Sequence, residues 1–143
     1  MAHCNGKEAV IPAVEAGTDS IEHGAFMDSD CLAALAQSDT VWVPTIAAVA
    51  AFSGRSGSGA AVSYSPRPGF DPDITRRTAE AHMAAVSEGS RMGAKIAAGS
   101  DSGAFGVRHG TGTLSEYGLL CECGLTAEGI IEANEIIRGR FRR

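Results

Sequence analysis

The sequence predicts an α/β fold on a parallel sheet, a partial (βα)8 TIM barrel of about four strand–helix units. Three observations predict it. Short apolar, β-branched runs alternate with longer helix-like runs. The chain has 143 residues, enough for one domain, where a closed barrel takes roughly 250. His3, His23 and Asp101 each stand at the C-terminal end of a strand-like run, the edge where the loops of parallel folds converge and ligands bind. The alternative is a small doubly wound sheet, but no G-x-G-x-x-G turn supports a dinucleotide-binding version of it.

The elements follow in order. Residues 1–4 read as the end of a strand. "KEAVIPAVEA" (7–16) has apolar residues at 9, 10, 13 and 14 and Gly17 as its stop. Pro12 suits that helix best in its first turn, where no N–H is needed. "SIE" is the second strand. Asp28 or Ser29 caps a helix through Ala36, with Cys31, Leu32 and Leu35 on one face. "TVWVPTI" (40–46) is a β-branched third strand with Pro44 near its end. Residues 54–72 are rich in Gly, Ser and Pro, lack periodicity and read as a long loop. Residues 74–91 form the longest helix, and "AKIAAG" the fourth strand. Two further helices, 114–123 and 127–137, are parted by "GLT", with Thr126 as cap. Trp42 and Phe26 are expected in the core. His82, mid-helix among Ala and Met, is expected to pack or to face solvent.

Composition narrows the function. Hydrophobic residues make up 44% and charged residues 20%, which describes a globular chain and not a disordered one. A net charge of −5 argues against a nucleic-acid partner, and the basic tail "RGRFRR" reads as a solvated chain end. No apolar run approaches bilayer length, and "MAHCNGKEAV" lacks the layout of a signal peptide. The expectation is a cytoplasmic protein without a membrane partner. Cys4, Cys31, Cys121 and Cys123 make no C-x-x-C pair and read as free thiols of a reducing compartment.

Imidazole and carboxylate are the usual ligands of a catalytic zinc. Two histidines and an aspartate on three strand ends therefore suggest a metal site. Glu22, beside His23, either points to the other face or supports the site. Cys4, beside His3, is expected to pack, since adjacent strand residues face opposite sides.

"HCNGKEAVIPAVEAGTDSIEHGAFMD", "VPTI", "GAKIAAGSDSG" and "RHGTGTLSEYGLLCECGLT", in that order, resemble the metal-dependent amidohydrolase superfamily. The similarity is greatest to its imidazolonepropionase-like and Xaa-Pro dipeptidase-like branch. The resemblance implies that residues 1–143 are the C-terminal half of a (βα)8 barrel, about strands five to eight with their helices. It implies zinc or another divalent metal ion held by His3, His23 and Asp101, with Asp101 also taking the proton of the attacking water. It places His109, Thr45 and Ser102 near a small amide or peptide-like substrate, and residues 46–74 in a loop over the pocket. The implied reaction is hydrolysis of a C–N bond in an amide, cyclic amide or dipeptide. The family's H-x-H pair of strand one, its carboxylated Lys of strand four and its β-sandwich have no counterpart here. The alternative is therefore a catalytically inactive truncated half-barrel, or a subunit that acts only after assembly as a homo-oligomer or with a missing N-terminal half. In a half-barrel, "TVWVPTI" and "AKIAAG" are each expected to leave one apolar face bare.

Overall fold

A computed structural model of the chain describes residues 1–58 and 66–142. Four parallel strands form one sheet: β1 (Ala2–Cys4), β2 (Ser20–His23), β3 (Val41–Val43) and β4 (Lys95–Ile96), ordered β1-β2-β3-β4. Each strand lies beside its neighbour in the chain. A doubly wound sheet would reverse its order at a switch point; this one does not. An unclosed parallel sheet with flanking helices accords with a partial (βα) barrel. The helices are α1 (Lys7–Glu15), α2 (Ser29–Ala36), α3 (Ile46–Phe52), α4 (Pro72–Met92), α5 (Thr111–Glu122) and α6 (Ala127–Arg140). None of the described helices is long and apolar enough to cross a membrane.

Local chemistry fixes the helix ends. The Asp28 carboxylate accepts the Cys31 N–H at 3.0 Å and starts α2. Asp71 accepts the Asp73 and Ile74 N–H groups, with Pro72 at the first position of α4. The Thr126 hydroxyl accepts the Gly129 N–H at 3.2 Å and starts α6.

The core divides between the two faces of the sheet. Ile21, Trp42 and Ile96 point to one face and pack with Val10, Leu32, Leu35 and Val86 of α1, α2 and α4. Alternation turns Val41 and Val43 to the other face. There they meet Ala97 and the α6 residues Ala133, Ile136 and Ile137. The Asn134 amide bonds the Ala98 backbone in both directions, at 2.7 and 3.4 Å. Arg140 donates to the Asp19 and Asp39 carbonyls, both at 2.7 Å. The expected bare apolar face is thus corrected: α6 lies over β3 and β4.

Other expectations also change. The third strand ends at Val43, not Ile46. Pro44 has no N–H for a ladder, Thr45 turns left-handed (φ 50°), and the alanine-rich "IAAVAAF" that follows is α3. The covering loop therefore begins after α3 and ends at Asp71, the N-cap of α4, and its residues 59–65 lie outside the described residues. Pro12 sits inside α1 rather than in its first turn, with its ring exposed. α5 begins at Thr111, ahead of the expected Leu114. Phe26 is 76% exposed and no part of the core. Trp42 and His82 are buried as packing residues, and all four cysteines are free.

The corner between β3 and α3 is held from a distance. The buried His82 Nε2 donates to the Pro44 carbonyl at 2.8 Å. The Glu116 carboxylate of α5 accepts the Ile46 N–H at 3.1 Å and the Ala47 N–H at 2.6 Å. Glu116 is wholly buried. Burial pushes its pKa from 4.5 up to about 7, against the opposite pull of the two backbone donors.

Two predictions follow from this packing. Gly24 has φ 64°, and a Cβ there would stand 2.6 Å from Trp42 Nε1 and 2.7 Å from Met27 Cε. Gly24→Ala is expected to cost about 2 kcal/mol or more in urea unfolding, from overpacking and left-handed strain together. Glu116 gives a pH signature. Between pH 4.5 and about 7 the folded chain keeps a proton that the unfolded chain has released. Its contribution is therefore full below pH 4.5, declines as pH rises through about 7, and is flat above that. The decline amounts to about 3 kcal/mol, at roughly 1.4 kcal/mol per pKa unit. Glu116→Gln is expected to abolish this slope, read as the wild-type-minus-variant difference in unfolding free energy between pH 5 and 8.

Candidate functional site

The candidate residues gather at the C-terminal edge of the sheet. His3 of β1 lies opposite Glu22, and Glu22 opposite Val43, so these three share a face; His23 lies opposite Cys4. Strict alternation would put His3 and His23 on opposite faces. His23 escapes alternation by a left-handed backbone, φ 68°. The two rings meet edge-on, with centroids 4.2 Å apart and planes at 61°.

Three bonds hold that turn. The Trp42 indole N–H donates to the His23 carbonyl at 2.9 Å. The Gly24 N–H donates to the Cys4 carbonyl at 2.9 Å. His23 Nδ1 and the Thr45 hydroxyl share a hydrogen bond of 2.7 Å. Burial, the largest influence, and the neighbouring His3 lower the His23 pKa, while the charges of Asp101 and Glu22 oppose them. Glu22 accepts its hydrogen bond from Ser20 on its own strand, at 2.7 Å, so it acts on His23 through charge alone.

Among the described residues, four that are not glycine have positive φ: His23, Phe26, Thr45 and Asp101. Three of them are candidate site residues: His23 closes β2, and Thr45 and Asp101 lie on the segments that follow β3 and β4. A β-branched residue such as Thr45 is rarely found there, and each such conformation costs about 1–3 kcal/mol. Strain is concentrated where the sequence places the chemistry.

Asp101 is exposed and is held by its loop. Its carbonyl accepts the Ala104 N–H, and Gly103 donates to the Val107 carbonyl, both at 3.0 Å. The Ser100 and Ser102 hydroxyls pair at 2.8 Å. Gly99 answers to packing, since a Cβ there would lie 2.5 Å from Val43 Cγ1, whereas Gly103 answers to its positive φ of 110°. His109 is exposed on the segment leading into α5, where its carbonyl accepts the Thr111 N–H at 3.0 Å. His3, His23 and Thr45 are thus in contact, and Asp101 acts on His23 through its charge. Ser102 belongs to the Asp101 loop, and His109 lies on the segment just before α5.

Sequence reasoning misses three contributors. Glu116 and His82 pin the corner that carries Thr45. Arg67 stacks on Phe52, Phe70 and Phe105, its guanidinium carbon 4.9–5.1 Å from each ring centroid, and so ties α3 to the loop of Asp101. The sequence signal for Arg67 was a cation among Phe residues far apart in the chain, which only the fold brings together.

Two imidazoles and a carboxylate have the donor chemistry for zinc. Among the described residues, however, no three His, Cys, Asp or Glu side chains gather to hold a metal ion. The donors at this edge are a partial set and do not frame a metal site by themselves.

No protein-family model and no curated protein matches the chain. Among solved structures it is similar to a Xaa-Pro dipeptidase with methionine bound in the active site. That match has a TM-score of 0.67 and 28% identity, and covers 95% of this chain and 33% of that one. It is also similar to an uncharacterized protein, with TM-score 0.63, 22% identity and coverage of 96% and 33%. The ochratoxinase of A. niger gives TM-score 0.64, 23% identity and coverage of 96% and 28%. At those identities the latter two show the fold alone. The chain spans about a third of the length of the solved structures it matches.

Proposed function

We propose that this chain supplies part of the active site of an amidohydrolase-type metal-dependent hydrolase, and that it is catalytically silent until that site is completed. The observation that carries this reading is the run of left-handed His23, Thr45 and Asp101 at or just beyond the C-terminal ends of successive strands, with the His3 ring against His23. Strain of that kind persists where function requires a geometry that packing alone would not choose. The likeness to a Xaa-Pro dipeptidase over nearly the whole chain supports the same lineage. The incomplete donor set supports silence in isolation.

In this reading β1 to β4 correspond to strands five to eight of a closed barrel. His3, His23 and Asp101 are donors toward zinc or another divalent ion, and the Asp101 carboxylate is the base for an attacking water. Thr45, Ser102 and His109 line the substrate side, and the substrate is an amide, cyclic amide or dipeptide. The missing donors come from polypeptide that pairs with the outer edges of β1 and β4, which carry no partner strand among the described residues.

Calorimetric zinc titration, with mass in solution followed by light scattering, tests the reading. The expected result is weak binding of at most one ion per chain, further reduced by His23→Ala, and no turnover of Xaa-Pro dipeptides by the monomer. Association should rise with concentration. Two tightly held ions on a monomer, or turnover by it, would show that the described edge is a complete site.

A further inference from the structure

Thr45 stands at the N-cap of α3, a position where a threonine hydroxyl ordinarily accepts a backbone N–H. Here it caps nothing. Its hydroxyl is engaged with His23 Nδ1 at 2.7 Å. The first N–H groups of a buried helix cannot be left without acceptors. They are taken by Glu116, 70 and 69 residues further along the chain, one carboxylate oxygen to Ile46 and the other to Ala47. His82 holds the Pro44 carbonyl on the other side of Thr45. The corner is thus clamped by α4 before Thr45 and by α5 after it.

We propose that Glu116 is a positioning residue for His23. Its carboxylate replaces the threonine as the cap of α3, holds Thr45 in its left-handed conformation and frees the Thr45 hydroxyl to fix one nitrogen of the His23 ring. Glu116 does not touch His23; it acts through Thr45. The importance of the arrangement rests on the reading of His23 as a site residue.

Both oxygens accept N–H groups, so the clamp is strongest with the ionised carboxylate, the form present at pH 8. α3 brings no ionisable side chain to it. The Cys123 thiol beyond the end of α5 senses the Glu116 charge and is itself pushed up by burial, so it stays neutral. On α4, burial keeps His82 neutral as well.

NMR of the isotope-labelled full chain at pH 8, without metal, tests the proposal through the ring nitrogens of His23. A fixed Nδ1 bond holds one tautomer; a free ring exchanges between two. Glu116→Gln keeps the size but turns an amide NH2 toward one backbone donor. Its expected effect is collapse of the difference between the two His23 nitrogen shifts toward the exchange-averaged value. Thr45→Ala should do the same while leaving the Glu116 titration in place. Leu119→Ala, at another wholly buried position of α5, loosens the packing of the helix but removes no hydrogen bond of the corner, and should leave the His23 nitrogen shifts apart. Should Glu116→Gln not fold, the wild-type chain still decides: the Ile46 and Ala47 amide shifts must follow the Glu116 carboxyl titration. Unchanged His23 nitrogens in folded Glu116→Gln, an equal collapse in Leu119→Ala, or amide shifts blind to the carboxyl titration would each overturn the proposal. Zinc affinity plays no part in this readout. A chain that binds no zinc but shows the coupling would lose its functional reading and keep this one.

Discussion

A wholly buried indole must find an acceptor for its N–H, and in this chain the acceptor is the carbonyl of His23. Much of the sheet follows from that bond. Trp42 lies in β3 opposite Ile21 of β2 and Ile96 of β4, so its ring covers the centre of one face. Its N–H reaches across to the end of β2 and holds the carbonyl where the backbone turns left-handed. The next residue has no room for a side chain. Gly89 of α4 meets the same ring, since a Cβ there would lie 3.2 Å from Trp42 Cζ3. Glycine at 24 and 89 thus reflects the girth of the indole, and the core residue and the candidate site share one hydrogen bond.

The strain at this edge is offset by bonds that span the chain. Each left-handed residue costs about 1–3 kcal/mol, and a net hydrogen bond returns about 1 kcal/mol. Single bonds would barely balance the conformations they enforce. The structure groups them instead: Trp42, Thr45 and the Gly24 amide act around His23, while Glu116 and His82 act around Thr45. Grouped bonds in a dry interior reinforce one another. The unusual element is Glu116, whose charge is unfavourable where it lies and whose geometry is nonetheless the one that gives α3 its cap.

Much of the fold was legible because its signals are local. β-branched runs marked the strands, Asp28 and Thr126 marked helix starts, and the alternation of elements implied parallel pairing. What failed was decided at longer range. Ile46 continues a β-branched run in the sequence, yet Pro44 and the carboxylate of Glu116 begin a helix there. Phe26 is aromatic, yet its backbone (φ 61°) turns it into solvent. Pro12 is tolerated inside α1 because its ring lies on the exposed side. For the site, His3, His23 and Asp101 could be picked out by residue type and by position at strand ends. The left-handed turn that lets His3 meet His23 could not, because it is held by Trp42 of the neighbouring strand and by Thr45 at the corner after it.

The two faces of the sheet show why a core can be complete where a site is not. Hydrophobic burial is non-directional and scales with area. Val41, Val43 and Ala97 need only apolar cover, and α6 provides it with Ala133, Ile136 and Ile137. A donor set is directional: ligands must converge on one point from fixed angles. The cover given by α6 adds no donor beside His3 and His23. His3 remains exposed while Val43, on the same face, is buried. One face therefore holds a closed apolar patch at β3 and an open polar edge at β1. Apolar area closes the first from one side, whereas the second has its donors on a side that α6 does not reach.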